Sequence, residues 1–96
     1  MVLIKQTPEF ARWFSSLRDL SARARIQVRI DRLELGLAGD WRPVGKGVLE
    51  LRVHYGPGYR VYFVQRDGCV IILLAGGDKR TQTEDIRRAT ALADNV

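Results

Sequence analysis

Apolar and polar positions along the chain change period twice, and those changes divide it into elements. Residues 2–6 are mostly aliphatic or β-branched and predict a first strand. Thr7-Pro8-Glu9 then marks a helix start. Threonine can cap free N–H groups, proline fits the first helical position where its missing N–H costs nothing, and glutamate complements the positive helix end. Phe10, Trp13, Phe14 and Leu17 follow at helical spacing. This helix is expected to end near Asp19, with Ser21 capping a second one in which Ile26, Ile30, Leu33 and Leu37 keep the rhythm. The two form an antiparallel hairpin. Gly36, Gly39, Pro43, Gly45 and Gly47 predict an irregular, mobile loop over 36–47. From Val48 the period becomes 2, with strands expected over 48–55, 59–66 and 69–75. Gly56-Pro57-Gly58 and Asp67-Gly68 make the connections of a three-stranded meander. After Gly76-Gly77, Thr83 is placed to cap a last helix with Ile86, Ala89, Thr90 and Ala93 along one side. The expected order is β-α-α-β-β-β-α, an α+β fold with a small antiparallel sheet and the helical hairpin packed on one face.

Length and composition then narrow the classes. Ninety-six residues make one domain, 1–96. With 46% hydrophobic and 28% charged residues, the chain is too apolar to be disordered. The longest apolar run, 69–75, is too short to span a bilayer at about 20 residues. The first residues do not show a basic segment followed by a long apolar one, so a cytoplasmic location is expected and no membrane partner. One cysteine and one histidine make a disulfide or a Cys/His metal site an unpromising reading; no cofactor and no metal are expected. Cys69 reads as core packing at a strand start. Trp13 reads as core, and Trp41 as either a loop plug or a partner anchor.

Sixteen Lys and Arg against eleven Asp and Glu give a formal charge of +5, which suits a polyanionic partner such as nucleic acid or an acidic protein. Thirteen of the sixteen are arginine, whose planar fork matches phosphates. In the strand over 48–55, Leu49, Leu51, Val53 and Tyr55 share one face and Glu50, Arg52 and His54 the other. Arg60, Tyr62 and Arg66 share a face of the next strand, so Arg52, His54, Arg60 and Tyr62 can converge on one open sheet surface. A solvated face with Glu50 pairing to Arg52 or Arg60 accounts for the same pattern equally well. Gly76-Gly77-Asp78-Lys79-Arg80 suits a phosphate oxygen but also describes an ordinary strand exit. Arg25, Arg29 and Arg32 form a stripe on the second helix, either solvated or facing a polyanion.

The strand Leu49-Glu50-Leu51-Arg52, the stretch Gly56-Pro57-Gly58-Tyr59-Arg60-Val61-Tyr62-Phe63, and Leu73-Leu74-Ala75-Gly76-Gly77-Asp78-Lys79-Arg80 with Asp85-Ile86 behind it together resemble one family. The chain is similar to the RelE/ParE superfamily of bacterial toxins, and more narrowly to its HigB-like, phage Gp49-like branch of addiction module killer proteins. That resemblance implies the toxin half of a type II toxin–antitoxin pair, neutralised by a cognate antitoxin that in HigB-type systems is often a helix-turn-helix repressor. It also implies cleavage of mRNA on the ribosome, with Arg60 matching the arginine of the Gly-Tyr-Arg stretch, Lys79 and Arg80 the basic pair after the last strand, and Arg52 and His54 the basic residues of the second strand. Arg25, Arg29, Lys46 and Tyr62 are the accompanying candidates for RNA contact. Where those nucleases often carry a base-stacking aromatic, this chain has Ile86. ParE-like members of the same superfamily instead block DNA gyrase by binding it, which is the alternative expectation. A DNA-binding module built on the two-helix unit ranks behind both.

Metal-free RNA cleavage needs the substrate's 2′-OH to attack the adjacent phosphate, a group to accept its proton, a group to protonate the leaving 5′ oxygen, and cations for the developing charge. Arg52, Arg60 and Arg80 stay protonated and suit the last role. If a protein group accepts the proton, His54 or Lys79 is the candidate.

Overall fold

The computed structural model describes residues 2–96, and Thr7 shows how its first elements are set. Its Oγ1 accepts the Phe10 amide at 3.0 Å and donates to the Leu74 carbonyl at 2.7 Å, so the residue that caps the first helix also ties it to the sheet. Around it the chain runs β1 (Leu3–Gln6), α1 (Pro8–Ser16), α2 (Leu20–Glu34), β2 (Trp41–Gly45), β3 (Val48–Val53), β4 (Tyr59–Arg66), β5 (Val70–Asp78), a 3₁₀ turn (Lys79–Thr81) and α3 (Gln82–Ala93). The sheet order is β1-β5-β4-β3-β2. Strands β2 to β5 pair antiparallel and β1 joins β5 in parallel, so the α+β class holds while the sheet is mixed and two strands wider than the meander alone.

Five local expectations are corrected. The 36–47 loop contains β2, which pairs with β3 from Trp41 to Gly45. It lies at the sheet edge, where Pro43 can be accommodated because an edge strand need not use every N–H. Helix α1 stops at Ser16 and Asp19 itself caps α2, accepting the Ser21 and Ala22 amides at 2.9 and 3.2 Å; Ser21 is inside the helix. Leu37 falls beyond α2 and is exposed, whereas Ile26, Ile30 and Leu33 are buried. Thr83 also lies inside its helix, since Asp78 caps the 3₁₀ turn that leads into α3. Cys69 is exposed in the turn before β5 instead of buried in a strand, because Gly68 takes φ +74° and the strand begins only at Val70.

The sheet is covered on both faces. Phe10, Ile26, Ile30 and Leu33 from the helical hairpin pack on Leu51, Val53, Val61, Phe63, Ile71 and Leu73, with Trp13 and Phe14 at the margin. Helix α3 brings Ala89 and Ala93 onto Val48, Tyr62, Val64, Leu74 and Ala75, with Ile86 and Leu92 half-buried beside them. No helix among the described residues is long and apolar enough to cross a membrane.

Candidate functional site

Strand register assembles the centre of the site. Across the face under α3, Arg42 on β2 stands opposite Glu50 on β3, and Glu50 opposite Tyr62 on β4. One step along, Arg52 stands opposite Arg60, and Arg60 opposite Gly77. Alternation along each strand puts all these side chains on one side of the sheet. That side is not the open surface the sequence suggests. Glu50 and Tyr62 are fully buried, because α3 lies over them.

Glu50 is the hub. Its Oε1 accepts Arg42 Nε at 2.9 Å, Arg60 Nη1 at 3.1 Å and Arg52 Nε at 3.3 Å. Its Oε2 accepts the Tyr62 hydroxyl at 3.1 Å and Gln82 Nε2, from the first residue of α3, at 2.9 Å. Burial pushes this carboxyl up, but the hydrogen bonds from Arg42, Gln82, Tyr62 and Arg52 outweigh it and hold the pKa at about 2. The buried Tyr62 phenol is pushed up by burial and by the Glu50 charge. Tyr62 is therefore a packed, neutral donor, out of reach of RNA, which corrects its reading as an RNA contact. Arg60 is nearly covered and its Nε has no hydrogen-bond partner among the described residues, whereas Arg52 is a third exposed.

The other candidates lie around this hub at different places. Lys79 is exposed in the 3₁₀ turn, its Cβ facing the open side of Gly58 in the β3–β4 connection. Arg80 folds back on Asp78, with Nη2 to Oδ2 at 2.9 Å and Nε to Oδ1 at 3.3 Å. The hydrogen bond to Arg80 keeps Asp78 ionised by lowering its carboxyl. His54 lies just past β3, largely exposed and paired with Asp40, whose carboxyl this contact lowers. Together with Arg25, Arg29 and Arg32 it lines a groove of about 520 Å³ against α2. Arg25 stacks over the Tyr55 ring, 4.5 Å from its centroid. Arg29 is engaged internally: its Nη2 donates to the Ala38 and Asp40 carbonyls at 3.2 Å, and its Nη1 to the Arg52 carbonyl. Through these bonds it braces α2 against the start of β2. Lys46 sits in the β2–β3 turn with φ +54°, at the far end of β3 from Arg52 and His54.

The glycine pair also takes a different role from a phosphate cradle. Both glycines belong to β5. A Cβ on Gly76 would run into the Trp13 ring and one on Gly77 into the Asp85 carboxylate, so the pair makes room for side chains of this chain. Asp85, bonded to Thr81, has its carboxyl raised by burial. Sequence reasoning missed Arg42 and Gln82. Arg42 becomes visible only once β2 is recognised, and Gln82 only once the helix is known to start before Thr83. No group of three His, Cys, Asp or Glu among the described residues is arranged to hold a metal ion.

Comparison with known proteins finds relatives of the chain as a whole. Residues 12–95 match the family described as phage derived protein Gp49-like (DUF891). A protein of Haemophilus influenzae described only as uncharacterized is 46% identical over 95 residues, covering 99% of this chain and 96% of its own length. The match runs from within α1 to the end of α3 and includes the positions of the Glu50 cluster, and by it the chain belongs to the phage-derived Gp49-like family, a family of RelE/ParE-like toxins.

Proposed function

We propose that this toxin is a ribosome-dependent, metal-independent mRNA endonuclease, held inactive by a cognate antitoxin of helix-turn-helix type. The observation that carries the reading is the in-register pairing of Arg52 with Arg60, braced by Glu50, with Lys79 exposed at the adjoining turn. In the reaction the 2′ oxygen bonds to phosphorus, the P–O5′ bond breaks, and a 2′,3′-cyclic phosphate and a 5′-hydroxyl result. Arg52 and Arg60 stabilise the charge gathering on the phosphate oxygens, and the Lys79 ammonium stabilises the leaving 5′ oxygen, which takes its proton from water. His54, oriented by Asp40, accepts the 2′ proton. Arg80 answers to Asp78 first and contributes field more than contact. With Glu50 held near pKa 2, the carboxylate is a brace and a weak base. Ribosomal positioning of the mRNA accounts for so shallow a site.

The second reading, a toxin that binds and blocks DNA gyrase, is favoured by one observation: Arg29, Arg52, Arg60 and Arg80 all serve contacts within the chain. The test is a purified translation reaction with a defined mRNA, mapping cleavage ends with and without the protein, beside the same protein on naked RNA. Ends that appear only in translating complexes support the nuclease. Folded, growth-arresting protein that produces none removes it and leaves gyrase inhibition.

A further inference from the structure

The Glu50 cluster holds more positive charge than its carboxylate needs. Three guanidinium groups lie within 3.3 Å of one oxygen, against one negative charge. The neighbouring acids are engaged elsewhere, Asp40 with His54, Asp78 with Arg80 and Asp85 with Thr81. One arginine would satisfy Glu50, and two cations placed directly across strands, as Arg52 and Arg60 are, repel each other. A second anion relieves that repulsion.

The free atoms show where it would sit. Arg42 and Arg52 both reach Glu50 through Nε, and their Nη groups have no hydrogen-bond partner among the described residues. Arg42, on the edge strand β2, is 45% exposed and Arg52, on the neighbouring β3, 32%, so solvent reaches both side chains. A guanidinium anchored at Nε with both Nη groups free has lost its rotamer freedom in advance, which is the arrangement that makes bidentate phosphate binding strong.

We propose that Arg42, preset by Glu50 beside Arg52, forms a phosphodiester-binding site that holds an RNA backbone phosphate flanking the one at Arg52, Arg60 and Lys79. The inference rests on the RNA-directed reading above and adds to it Arg42, from the edge strand, as an RNA-binding residue, and Glu50 as its positioning residue. An arginine fork binds carboxylate and phosphate alike, and a phosphate is favoured here because the Arg42 fork adjoins the Arg52–Arg60 pair assigned to RNA.

The test is fluorescence anisotropy of a short, 5′-labelled single-stranded RNA titrated with the intact protein over a series of KCl concentrations. Arg42→Ala is expected to bind about tenfold more weakly, with the slope of log K against log salt reduced by about one unit. Arg42→Lys restores the slope and only part of the affinity, since it keeps the charge and loses the fork. Arg87→Ala, on the exposed face of α3, leaves the slope unchanged. Circular dichroism of each variant confirms the fold. An Arg42→Ala slope and affinity equal to the wild type overturn the proposal, as does a wild type that does not bind the RNA at the lowest salt. Displacement of the RNA by polyglutamate of equal charge at equal concentration also overturns it, in favour of an acidic protein partner. A wild type that cuts no mRNA on ribosomes, while Arg42→Ala still weakens RNA binding, removes the nuclease reading and leaves this site standing.

Discussion

Glu50 and Gly76 show how single residues are constrained by what surrounds them. Glu50 has its folded pKa held at about 2, below the ordinary 4.5. A depressed carboxylate contributes stability that is fully present above the unfolded pKa and is lost as pH falls through the folded one. Its contribution therefore disappears between about pH 4.5 and pH 2 and amounts to something on the order of 3 kcal/mol. Urea titrations across that window are expected to show a steep loss of stability in the wild type. Glu50→Gln should be less stable by about 3 kcal/mol at neutral pH, because three guanidiniums lose their counter-charge, and should show a shallower slope between pH 4.5 and 2. Gly76 is constrained by volume. Gly76→Ala pushes a methyl into the Trp13 ring and should cost about 1–3 kcal/mol, read as a lower urea midpoint. In a Trp13→Ala background the same change should cost much less, so the double-mutant cycle gives a coupling at least as large as the error of the method. Both glycines were visible in the sequence, but their reason was not: Gly-Gly before two cations suits a phosphate, and only the packing shows that indole and carboxylate occupy the space.

At the scale of elements, what was legible depended on whether neighbours reinforced the local pattern. The alternation of Leu49, Leu51 and Val53 against Glu50 and Arg52 predicts strand and facing correctly, since each face is covered by a different layer. Likewise Thr7-Pro8-Glu9 marks the α1 start to the residue. Strand β2 was hidden because Gly36, Gly39, Pro43, Gly45 and Gly47 are turn formers, and its pairing with β3 comes from across a hairpin instead of from its own alternation. With β2 went Arg42. The sequence puts the α2 start two residues late for a similar reason: Asp19 and Ser21 both have capping side chains, and the helix that Asp19 caps is the one that buries Ala22 and Ile26. The assignment is testable by substitution. Asp19→Ala should lower stability by about 1 kcal/mol through two lost amide bonds, while Ser21→Ala, exposed within the first turn, should leave the urea midpoint within error.

Over the whole molecule the charge of +5 is sorted by side, and that sorting decides which cations can act on a partner. Helix α2 carries Arg25, Arg29 and Arg32 on the flank that meets His54, and Gln27, Asp31 and Glu34 on the flank that meets β1. The arginine count suggests a polyanion but does not show which arginines are engaged within the chain. Among the candidates Lys79 is the one best suited to separate chemistry from stability. Arg60 is nearly covered and holds Glu50, so its removal perturbs the buried hub as well as any substrate contact. Arg80 holds Asp78. Lys79 is exposed and has no ion pair among the described residues, so truncating it leaves the fold as it is. If the protein cleaves mRNA with Lys79 beside the leaving oxygen, Lys79→Ala should keep the wild-type urea midpoint and lose at least about tenfold in single-turnover cleavage on ribosomes. Growth arrest in cells should weaken in parallel. Lys79→Arg should recover a large part of both, because the charge is what the leaving group needs. Unchanged cleavage in Lys79→Ala would move the leaving-side role to Arg80, and unchanged growth arrest with no cleavage in any variant would mean that the polar face is a surface for binding and not for reaction.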